Sequence, residues 1–131
     1  MTEHKDIVNR NDIELLVDEF YLKVVEDDKI GHFFNDVVKV DWAKHKPIMY
    51  DFWETMILGN MVYEGNPMTK HMDLTKKVPL KKEHFDQWMV LWKETVNEFF
   101  SGKNADEAIQ RAGNVALVMQ HKTSEVNKAN Q

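Results

Sequence analysis

The residues of this chain whose types and spacing could do chemistry are led by His71. It lies in Gly65-Asn66-Pro67-Met68-Thr69-Lys70-His71-Met72-Asp73-Leu74, where Asn66 can cap and Pro67 can open a short helix. Such a turn would hold a neutral imidazole toward the groove between the flanking helices, able to bind a metal centre from one side. Tyr21, His45 and Trp88 fall on the inward sides of three other segments. Taken singly, each has a structural reading: Tyr21 bonded to a nearby carbonyl, His45 as a satisfied core or rim residue, Trp88 as plain packing. Together they are harder to explain that way. A buried hydroxyl or indole N–H needs a partner, and an unsatisfied one costs about 1–3 kcal/mol, so a generic helical core avoids such a gathering. Of the other histidines, His4 is incidental and His84 a surface or boundary residue. His121 is a cation placed to suit a helix C-terminus, and His32, beside a Phe pair, is open between structure and site.

Helices must position these groups. Ile13, Leu16, Val17, Phe20, Tyr21 and Val24 recur at spacings of three and four, which predicts a helix over about Asp12 to Glu26. Gly31 supplies the turn after it, and His32-Phe33-Phe34-Asn35 follows as an aromatic corner. A second helix begins near Asp41, a candidate N-cap, and runs to Gly59. Trp42, His45, Met49, Phe52, Trp53, Met56 and Ile57 share one face, and Pro47 falls within its first two turns, where it costs less. Residues Asn60 to Pro79 read as a long loop holding the short His71 helix, and a loop of that length is usually functional or mobile. A third helix is predicted over about Leu80 to Phe100, with Phe85, Trp88, Leu91, Trp92, Val96 and Phe99 on its apolar face, and a last one over about Ala105 to Val126. Strand signals are missing, so the fold class is all-α. The chain of 131 residues suits one domain over 1-131, with a polar N-terminal extension at about 1-11 and a frayed tail at about 127-131.

Composition narrows the function classes. A net charge of -5 argues against bulk nucleic-acid or anionic-membrane binding. With no Cys there is no disulfide, thiolate metal site or cysteine catalysis, and no Cys-x-x-Cys-His attachment of haem. The polar N-terminus is no signal peptide, and nothing approaches the roughly 20 apolar residues of a membrane span, so a cytoplasmic protein is the default expectation. Glu-x-x-His does not occur, which removes a di-iron four-helix bundle. The load of 4 Trp, 7 Phe, 8 Met and 3 Tyr fits an aromatic helical core or a pocket for a flat aromatic ligand.

From about Ile13 to Met119 the sequence resembles the group III truncated haemoglobins. The likeness rests on Phe20-Tyr21-x-x-Val24, Ile30-Gly31-x-x-Phe34, Trp42-x-x-His45 and Phe52-Trp53-x-x-Met56-x-Leu58-Gly59. It continues through Tyr63-x-Gly65-Asn66-Pro67-x-x-x-His71-x-x-Leu74, His84-Phe85-x-x-Trp88 and Arg111-Ala112. The absence of any Gly-Gly pair agrees with group III over groups I and II. The resemblance implies a two-over-two helical sandwich around a non-covalent haem b, with His71 as the proximal ligand to the iron. It implies Tyr21 as the distal Tyr, His45 as the distal His with Met49 one turn further on, and Trp88 as the distal Trp. Phe34 would wedge the haem, and Phe52 and Trp53 would pack on the distal side.

The same resemblance implies small ligands: O2, NO, CO or peroxide. Tyr21, Trp88 and His45 would be the groups acting on them, giving an O2 affinity too high for simple transport. NO dioxygenase or peroxidase-like activity is then the enzymatic expectation. A separate reductase is a needed partner, since no flavin or nicotinamide motif is present. The competing class is a haem-free helical interaction module, with the aromatics as core and the histidines incidental.

Overall fold

The computed structural model describes residues 4–31, 42–63 and 81–129, the side chains of residue 42 and of 123–129 excepted. The described residues form four α-helices and one π-helical turn, with no strand. Helix α1 spans Arg10–Glu26 and α2 spans Trp42–Trp53, running on into a π turn over Glu54–Leu58. Helix α3 spans Lys82–Phe99 and α4 spans Lys103–Ala129. The aromatic corner at His32 to Asn35, the Asp41 cap and the His71 helix lie outside the described residues.

The stripe read from spacing on α1 is buried throughout: Ile13, Leu16, Val17, Phe20, Tyr21 and Val24 all face the interior. Contacts between α1 and α2 descend along α2 as they ascend α1. Arg10 meets Asp51 and Glu54, Asp18 meets Tyr50 and Lys46, and Tyr21 meets His45. The two helices therefore run against each other. Helices α3 and α4 form the second packed pair, and α1 also lies on α3. This is the two-over-two sandwich expected from the sequence.

At the centre is a stack of indoles. Trp53 lies on Trp92 with ring centroids 4.3 Å apart, and Trp88 lies on the same Trp92 at 6.0 Å with planes 5° from parallel. Phe20 meets Trp88 and Trp92 edge-on at 5.7 and 5.0 Å, an arrangement favoured by the charge distribution of aromatic rings. Trp92 is fully buried, and its indole N–H donates to the Ala108 carbonyl at 3.0 Å, which ties α3 to α4.

Helix ends depart from the sequence expectation. Helix α1 starts two residues before Asp12, because Asn9 is the cap: its side chain accepts from the Asp12 N–H at 3.0 Å. Asp12 instead holds the preceding strand of chain, accepting from Lys5 Nζ at 2.8 Å and the Val8 N–H at 3.0 Å. The polar extension is thus docked, with Ile7 fully buried. Asp6 caps α4, accepting from the Asn104 and Ala105 N–H groups at 3.0 and 2.8 Å, where the first helical amides lack partners. At the far end α4 continues to Ala129, past the end near Val126 expected from the sequence. His121 then lies more than a turn short of the C-terminus, and the dipole reading of that residue falls away.

The Asp6 carboxylate sets a pH dependence. Burial raises its pKa, but the N–H donors of Asn104, Ala105 and Ile7 outweigh burial and hold it below the usual value. A depressed folded pKa contributes stability that is present above the unfolded value of about 3.9 and lost as pH falls through the folded one. Asp6→Ala is expected to cost about 1 kcal/mol at neutral pH, the usual worth of a cap. That deficit should close on acidification below about pH 4. Urea unfolding of both proteins across pH checks this, and a deficit that persists at low pH contradicts it.

Candidate functional site

Tyr21 and His45 face each other across the α1–α2 pair. His45 Nε2 lies 3.4 Å from the Tyr21 hydroxyl, and the rings meet edge-on with centroids 5.6 Å apart. The contact is long for an O–H···N bond, so little is lost when either group turns to another partner. Burial pushes the Tyr21 pKa well above the ordinary tyrosine value. Its hydroxyl keeps its proton across the physiological range, the state in which it can donate.

Trp88 joins this pair through Phe20, whose ring stands 5.1 Å from Tyr21 and 5.7 Å from Trp88. Trp88 is half-buried, and its ring stacks on Trp92. Trp92, one turn on, is fully buried with its N–H satisfied within the fold. An indole can only donate, so a polar partner of Trp88 must be an acceptor.

The apolar candidates divide. Met49 is half-buried, one turn beyond His45. Phe52 is buried and packs edge-on against Tyr63 at 5.2 Å. Trp53 belongs to the indole stack and is 3% exposed, so within the described residues it is a core group that backs the site. His71 and Phe34 lie outside the described residues.

The π turn and the polar bonds around it were not read from the sequence. Phe52, Trp53 and Glu54 are consecutive and all buried, facing Tyr63, the indoles and Arg10 in turn. A π turn begins at that point, and such turns recur where a helix must serve a site. Within it, Thr55 Oγ1 accepts from the Val62 and Tyr63 N–H groups at 3.2 and 3.0 Å. Asn60 Nδ2 donates to Glu54 at 3.2 Å. Gly59 closes the helix at φ 78°, a left-handed conformation open to glycine. These bonds fix how the chain leaves α2 toward the segment that carries His71. His84 is a cap rather than a plain boundary residue: its Nδ1 accepts from the Lys81 N–H at 2.9 Å.

Comparison with known proteins adds a family. The pattern of the bacterial-like globins matches residues 4–121. A group 3 truncated haemoglobin of Campylobacter jejuni is 32% identical over 119 residues, covering 88% of this chain and 91% of that protein. A group 1 truncated haemoglobin of Synechocystis is 39% identical over 75 residues, 56% of this chain and 58% of its own length. The crystal structure of a group III truncated haemoglobin from Campylobacter jejuni superposes with a TM-score of 0.77 at 31% identity, over 91% of this chain and 94% of that one. That of a 2/2 haemoglobin from Synechococcus sp. PCC 7002, in the cyanomet state with covalently attached haem, gives 0.75 at 28% identity, over 88% and 91%.

Proposed function

Because the chain belongs to the bacterial-like globins, and within them to the group III truncated haemoglobins, we propose that it binds a non-covalent haem b through His71 and handles O2 and other diatomic ligands in a polar pocket. The observation that carries this reading is the Tyr21–His45 pair inside the fold, with the half-buried Trp88 indole one phenyl ring away. The donor set fits a small, polarisable ligand, and Met49 and Phe52, further along α2, are apolar groups of the kind that suit a flat hydrophobic ring system. The absence of Cys removes thioether attachment of that haem.

When bound, haem iron supplies a coordination position for a diatomic ligand and the one-electron chemistry by which O2 converts NO to nitrate or peroxide is reduced. The chain's own residues do the rest. Tyr21 O–H and Trp88 N–H would donate to the bound diatomic ligand, as fixed dipoles stabilise charge in a water-poor site. His45 would add a donor or admit the ligand. His71 would hold the iron through one ring nitrogen, and a hydrogen bond at the other would fix its tautomer. We propose NO or peroxide chemistry, rather than bulk O2 transport, in the cytoplasm, with electrons returned by a separate reductase. No helix among the described residues is long and apolar enough to cross a membrane.

The test is reconstitution with haemin, followed by absorption spectra of the ferric protein and of the reduced protein under CO. A globin-type spectrum, with haem that extracts into acidified organic solvent, is the expected result. A folded, colourless protein that takes up no haemin leaves the haem-free interaction module, and haem that resists extraction refutes non-covalent attachment.

A further inference from the structure

Two clamps join α2 to α1, and they stand at different distances from the site. At the start of α1, Arg10 Nη1 donates to Asp51 Oδ1 at 2.7 Å and to Glu54 Oε1 at 3.1 Å. Two turns further, the Asp18 carboxylate takes two groups of α2 at once: it accepts the Tyr50 hydroxyl proton and pairs with Lys46 Nζ at 3.6 Å. Lys46 and Tyr50 are four residues apart, on one face of α2. Lys46 adjoins His45, and Asp18 is three residues before Tyr21 on α1. The Asp18 clamp is therefore the rung of the α1–α2 ladder next to the Tyr21–His45 contact.

We infer that Asp18, holding Tyr50 and Lys46 together, is a positioning residue that sets where His45 stands against Tyr21. The inference rests on the haem reading for its ligand, and it assigns this outer carboxylate a part in ligand entry. A helix is stiff over one turn, so a carboxylate that fixes Lys46 and Tyr50 also fixes the Cα of His45. Removing the clamp leaves the Arg10 clamp in place. The helices stay packed while the near end of α2 gains freedom, and His45 spends more time away from Tyr21.

Asp18→Asn and Tyr50→Phe test this in the ferrous holoprotein with CO as the probe. The readouts are CO association by flash photolysis and the C–O stretch bands in the infrared, which report how polar the pocket is. Each variant is expected to bind CO about two- to fivefold faster, the scale of a part-exposed ion pair. Each should also move band intensity from the polar to the apolar population. In a His45→Leu background, Asp18→Asn should change neither readout, because the clamp acts through His45. Unchanged rates and bands in the single variants would overturn the inference. So would an equal change with His45 absent, which would mark Asp18 as a general packing residue. A wild type that forms no CO complex removes the haem reading and the inference with it, a failure distinct from unchanged bands.

Discussion

His71→Ala is expected to lose at least about a hundredfold in haem affinity and to lose the wild-type ferric and CO spectra. Outer partners that merely orient a ligating histidine are worth about 10–100-fold in metal affinity, so the ligand itself is worth no less. The chain has no Cys, so no thioether bond would hold the porphyrin in the variant. The effect extends to stability. A ligand that binds only the folded state stabilises it by about 2.7 kcal/mol at a hundred times its Kd, so at a haemin concentration that stabilises the wild type by that much the variant should melt close to the apoprotein. Imidazole supplied in solution should restore part of the spectrum by occupying the vacated position. A variant that keeps the wild-type spectrum would place the iron ligand elsewhere, with His32 the first alternative to examine.

Tyr21→Phe is expected to release O2 about 10- to 100-fold faster than wild type. A hydrogen bond to a charged or strongly polarised group is worth about 1.5–3 kcal/mol, and each 1.36 kcal/mol is a factor of ten in rate. Trp88→Phe should act in the same direction. The double variant should fall short of the product of the two, because both donors serve one ligand. Burial holds the Tyr21 pKa far above neutrality, so the wild-type rate should not change with pH on account of this hydroxyl. Stopped-flow displacement of O2 by CO measures the rates. Equal release from wild type and Tyr21→Phe would remove the hydroxyl from the ligand's surroundings.

Much of this architecture was legible in the order of residues. The apolar stripe of α1 and the aromatic face of α3 have a period that only a helix explains, and Tyr21 stood out because a polar tip interrupted such a stripe. What stayed hidden were bonds made by side chains across the fold. Asp12 looked like the start of a helix, yet the helix begins earlier because Asn9 caps it and Asp12 is engaged by Lys5 and Val8. Asp6 looked like part of a solvated tail, because its partners at Asn104 and Ala105 are nearly a hundred positions away. The π turn escaped for a different reason. Its burial pattern of three neighbours in a row fits neither helical nor strand periodicity, and only the separate partners of Phe52, Trp53 and Glu54 explain it.

The docked N-terminal arm bears on the order of folding. Its bonds to Ser101, Asn104 and Ala105 close the widest loops described in this chain, and contacts of such separation carry the largest closure entropy. During synthesis the arm emerges before α3 and α4, and its docking surface does not exist until the turn between them has been made. The α3–α4 hairpin, with Trp88 and Trp92, can therefore assemble before the arm seats. Amide protons at Lys5 to Val8 should gain protection last in refolding and lose it first in partial unfolding, which makes the burial of Ile7 a late checkpoint on a finished globule.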